Sequence, residues 1–82
     1  MSSSALEIKE DELYEIVDLA DGDLTDRLAE MGCVPGTMIQ KLFAAPGGDP
    51  IAFQVDQYIL GLRKAEANYI QVSPIKTEKE SI

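Results

Sequence analysis

Strict alternation over residues 51–62 is the feature that leaves this chain least freedom. Ile51, Phe53 and Val55 alternate with Ala52, Gln54 and Asp56, and Tyr58, Leu60 and Leu62 alternate with Ile59, Gly61 and Arg63. With Asp56-Gln57 as a two-residue turn, Val55 faces Tyr58, Phe53 faces Leu60 and Ile51 faces Leu62, and all six share one side of a hairpin. A slip of one residue would turn every one of them to water, so pattern and register specify each other. At about 1.5–3 kcal/mol for each large side chain fully buried, this face is expected to be the main source of stability.

The rest of the compact part reads as further short elements. Residues 13–19 supply Tyr14, Ile16, Val17 and Leu19, the bulk of a first strand, and Asp21-Gly22-Asp23 ends it. Asp23 is placed to cap a helix, with Asp26 at the capping-box position; Leu24, Leu28 and Met31 make its apolar stripe and Gly32 its stop. Pro35-Gly36 launches a second strand over 37–44, and no strand can cross Pro46-Gly47-Gly48-Asp49-Pro50. After the hairpin, residues 64–68 suit a single helical turn and 69–72 a last strand. The expected fold is mostly β: about five short antiparallel strands curled into a small barrel, with one short α-helix between strands 1 and 2. Residues 13–72 form the expected domain, between a mobile N-terminal segment at 1–12 and a C-terminal tail at 73–82.

Composition removes most catalytic chemistry. With no His, no Trp and a single Cys in 82 residues, a Ser/His or Cys/His nucleophile pair and a His-ligated zinc site cannot be assembled. No apolar run approaches the roughly 20 residues of a spanning helix, so the chain is expected to be cytoplasmic and without direct membrane insertion. The net charge of -8 repels phosphate backbones, which argues against nucleic acid as a partner.

Single features carry little chemistry of their own. Gly47-Gly48-Asp49 lacks the Lys-Ser/Thr of a phosphate cradle and reads as a loop needing positive φ. Cys33 follows a helix C-terminus, where the dipole raises a thiol pKa, and reads as a small buried residue. The acidic residues around Glu10 to Glu12 offer oxygen ligands without a rigid loop to gather them, so no metal and no cofactor is expected. Residues 37–44 are the informative case. Their faces read Thr37, Ile39, Lys41, Phe43 and Met38, Gln40, Leu42, Ala44, so either orientation exposes two bulky apolar groups unless a bulge switches faces mid-strand.

Three ordered motifs point to a family. They are Arg27-Leu28-Ala29-Glu30-Met31-Gly32-Cys33-Val34-Pro35-Gly36-Thr37, then Ala45-Pro46-Gly47-Gly48-Asp49-Pro50-Ile51, and then Leu60-Gly61-Leu62-Arg63-Lys64-Ala65-Glu66-Ala67 followed by Ile70-Gln71-Val72. Together they closely resemble FeoA, a small companion of the bacterial ferrous iron transporter. The resemblance implies an SH3-like barrel that binds rather than catalyses, with Gly32, Pro35, Gly36, Pro46, Gly48, Asp49 and Pro50 as its structural motif. It implies a partner as well, the cytosolic part of a FeoB-type permease. The docking patch is expected at Met38, Leu42, Ile59 and Arg63. The alternative is a regulatory or scaffolding domain akin to the C-terminal domain of iron-dependent repressors. Asp56 stands where the family tends to have glycine, so a non-glycine is expected at positive φ. Phe53 and Tyr58 are assigned to the hairpin core, which leaves too few aromatics for a polyproline groove.

Overall fold

The computed structural model describes residues 3–75. Six strands form one antiparallel sheet: β1 (Ser3–Ser4), β2 (Leu13–Leu19), β3 (Met38–Ala44), β4 (Ile51–Val55), β5 (Tyr58–Leu62) and β6 (Ile70–Pro74). Their order across the sheet is β1-β6-β2-β3-β4-β5. Two short helices, α1 (Thr25–Glu30) and α2 (Lys64–Ala67), and 3-10 turns at Ala5–Glu7 and Pro46–Gly48 complete the fold.

The hairpin takes the register that alternation demands, with Ile51 opposite Leu62, Phe53 opposite Leu60 and Val55 opposite Tyr58. Asp56 sits at φ 56° at its turn, a left-handed conformation that costs a non-glycine residue on the order of 1 kcal/mol. Ile51, Phe53, Val55 and Leu62 are buried and Leu60 is half-buried. Tyr58 departs from expectation: it is 69% exposed although Val55, opposite it, is in the core, because β5 is an edge strand and the ring stands beside an open groove.

That interior draws on nearly every element. Ile16 of β2, Ile39 of β3, Ile70 and Val72 of β6, Leu28 of α1, Ala67 of α2 and Cys33 join the hairpin residues in one cluster. Leu24 and Met31 of the expected helical stripe pack partly against it. The helix does not start on an Asp23 cap, since Leu24 holds that position with helical torsions and no side-chain hydrogen bond. Its end follows the glycine rule. Gly32, at φ +98°, donates to the Ala29 carbonyl and Cys33 N–H to that of Leu28, satisfying two orphan acceptors.

Two further expectations are corrected. The sheet is not closed into a barrel: β1 and β5 are its two edges. Nor is the domain limited to 13–72 by a loose N-terminal segment, since Ser3 and Ser4 pair with Val72 and Gln71, and Ala5 and Ile8 are buried in the core. Those two side chains, spaced by the 3-10 turn that Ser4 Oγ caps through Leu6 N–H, dock the segment together with the partly buried Leu6 and the β1 pairing. At the other end Ser73 and Pro74 belong to β6, opposite Glu15 and Tyr14. The remainder of the expected tail, 76–82, lies outside the described residues.

Candidate functional site

The ambiguous strand resolves through a bulge. Lys41 pairs with Phe53, yet Phe43 pairs with Ala52, so Leu42 is the extra residue and the inward face changes parity there. Ile39 is therefore buried, Leu42 is half-buried, and Phe43 is turned out with 61% of its surface exposed. A second bulge at Val17, where β2 meets β6, turns that side chain out as well.

The four residues expected to dock a partner are consequently not one patch. Met38 lies on the outer face beside the hairpin tip, where Asp56 N–H donates to its carbonyl at 3.0 Å. Ile59, 67% exposed, lies across β4 on the same face, in a row that runs Leu13, Gln40, Gln54, Ile59. Leu42 gives up its place to Phe43, near the opposite end of the strand. Arg63 follows β5, exposed, with its N–H held by Glu66 Oε1 at 2.8 Å. Phe43, Leu13 and Tyr58 are exposed apolar groups that sequence reasoning missed. The signal for Phe43 was the two-faced apolar pattern of 37–44, whose reading depended on where the bulge fell.

A groove of about 650 Å³ opens between the end of α1 and the hairpin tip. Met31, Val34, Val55, Ile59 and Leu60 give it an apolar lining, and Tyr58 flanks them. Glu30 and Asp56 are its charged residues, both acidic. The 34–37 turn that forms one wall is pinned to β2: Gly36 N–H donates to the Ile16 carbonyl at 2.7 Å and Ile16 N–H to that of Thr37 at 2.8 Å. Pro35 and Gly36 suit this turn because Gly36 takes φ +95°, which a proline-glycine pair adopts without strain.

The remaining motif residues gather at the far end of the hairpin. Asp49 Oδ1 accepts the Lys64 N–H at 3.0 Å, capping α2 from a loop fifteen residues away. Ala45 N–H donates to the Pro50 carbonyl at 2.9 Å and Gly48 N–H to that of Ala45 at 2.7 Å. The 46–50 loop and the start of α2 are thus one hydrogen-bonded unit rather than a ligand cradle. Gly47 and Gly48 both take positive φ, as a loop of this composition requires. Cys33 is fully buried, and burial, with a smaller contribution from Glu66, pushes its thiol up to about 11. It stays protonated at neutral pH and is no nucleophile. Among the described residues no three His, Cys, Asp or Glu side chains are grouped to hold a metal, and no helix is long and apolar enough to cross a membrane.

A family model for the FeoA domain matches residues 5–74, a span that takes in the groove, both bulges and the capped loop. The chain belongs to the FeoA family. That family is involved in ferrous iron transport. A FeoA-like protein from Clostridium acetobutylicum is 30% identical, covering 93% of this chain and 90% of its own, with a TM-score of 0.84. FeoA of Stenotrophomonas maltophilia, solved with zinc and described as a prokaryotic SH3 domain protein, is 25% identical over 85% of this chain and 88% of its own, with a TM-score of 0.76. A manganese-dependent transcriptional repressor shares the fold alone: 14% identity and a TM-score of 0.81, over 90% of this chain and 42% of that protein. No curated protein matches.

Proposed function

We propose that this FeoA protein is a non-enzymatic, cytoplasmic accessory of ferrous iron uptake that docks on the cytosolic part of a FeoB-type permease and modulates it. The observation that carries this reading is that Ile59 (67% exposed), Phe43 (61%) and Met38 (44%) share the outer face of the sheet, on a small domain whose core is already filled by other residues. Apolar groups exposed singly are ordinary, but several gathered on one face of a sheet mark a contact surface. Membership of the FeoA family supplies the transport context. A binding role also suits a chain without histidine whose one thiol is buried.

Titrating the intact chain against the permease's cytosolic part, in the nucleotide-free, GDP-bound and GTP-bound states, tests the reading. Association in at least one state is expected; silence in all three overturns it. Replacing Met38 and Phe43 together by alanine should weaken association about tenfold or more, as loss of a contact worth some 1.4 kcal/mol does. The thermal midpoint should stay within a few degrees; a collapse in stability would place the two side chains in the core instead.

A further inference from the structure

Among the described residues, the β5 edge has β4 as its single neighbour in the sheet. In a hairpin closed by a two-residue turn, Val55 and Tyr58 exchange hydrogen bonds, so the alternate residues Ile59 and Gly61 turn their N–H and C=O groups toward the free side. Such a row is a template for an added strand. The other edge, β1, is two residues long and offers no comparable row. Gly61 adds to the argument: it is exposed, and nothing stands within 4 Å of where a Cβ would be. A glycine inside a strand weakens it and marks a place where another backbone can approach closely.

Charge selects the occupant. The charged residues of the groove beside this edge are Glu30 and Asp56, with no lysine or arginine among the described residues that line it, on a chain of net charge -8. Resting on the docking role above, we infer that the groove and the β5 edge together take an extended segment of the partner with Lys or Arg on either side of a bulky apolar residue. Backbone pairing at Ile59 and Gly61 supplies affinity that does not read sequence. The apolar side chain enters beside Met31, Val34 and Leu60, and the cations meet Glu30 and Asp56. A second copy of the chain, also at -8, is repelled from this site.

The test uses short overlapping peptides tiled across the cytosolic part of the same organism's FeoB-type permease, titrated into the intact isotope-labelled chain at low and high salt. Peptides with the basic, apolar, basic pattern should shift the amides of residues 58–62 and of Gly32 and Val34. Affinity should fall about tenfold in a Glu30→Gln, Asp56→Asn double variant, and by a similar factor at high salt. Asparagine tolerates the positive φ at position 56, so the hairpin is kept. Gly61→Pro, which removes an edge N–H, should abolish binding; its thermal midpoint tells loss of pairing from loss of fold.

Equal binding of acidic peptides, shifts confined to Met38 and Phe43, or unchanged affinity in the double variant would each overturn the inference. So would a dimer in sedimentation that protects the β5 amides, because the occupant would then be a second copy. Where the intact cytosolic part binds but neither the peptides nor the groove variants register it, this inference falls and the docking role stands. No association of the intact part in any nucleotide state removes the docking role, and this inference with it.

Discussion

The base of the β4–β5 hairpin and its tip lie a few residues apart and are built in opposite ways. At the base, Ile51 and Leu62 are buried opposite each other, the 46–50 loop folds on itself, and Asp49 caps α2. Polar groups there find partners within the chain. At the tip, Asp56 is held at positive φ, Tyr58 and Ile59 stand in solvent, and a groove remains open against α1. The difference teaches where to look for a docking site: the base satisfies its polar groups within the chain and exposes only Phe43 of its large apolar residues, whereas the tip leaves apolar and backbone groups unmatched beside an open groove.

Four substitutions break or sharpen that contrast. Phe53→Ala, in the fully buried stretch between base and tip, should cost about 3–5 kcal/mol in denaturant unfolding, enough to unfold a domain of this size. A cost below that of a surface change would mean the inner face is not the source of stability. Asp49→Ala at the base should cost about 1 kcal/mol, the worth of a helix cap, and should speed exchange of the Lys64 amide. Asp56→Gly at the tip runs the other way. It should raise stability by about 0.5 kcal/mol, the relief of a left-handed non-glycine less the added backbone entropy of glycine. Tyr58→Ala should change the unfolding free energy by less than about 0.5 kcal/mol. A larger loss would put the ring in the core, as its alternation alone suggests.

Legibility followed the strength of the pattern. The hairpin register and its turn were readable, because a period of two over twelve residues admits a single pairing; the positive φ at Asp56 followed from the resemblance, since the family tends to have glycine there. The capped loop could be read as a turn but not as a cap, since Asp49 and Lys64 meet only after the hairpin brings their segments together. Leu42 and Phe43 exchanged roles because a bulge is one residue of slack, and the strand's two mixed faces left its position open. Residues 3–12 read as a tail because Ala5 and Ile8 are too few to make a periodic signal, yet the core has places for both.

What the residues determined by themselves was local: where strands alternate, where glycine and proline stop them, which side of the hairpin is greasy, and, through three ordered motifs, the family. Tertiary structure decided which apolar groups end in water, that the sheet stays open at β5, and that a groove with two carboxylates lies beside that edge. The physical reason is that alternation gives each side chain a direction relative to its own strand. How deep that direction leads depends on bulges and on neighbours that arrive from distant parts of the chain.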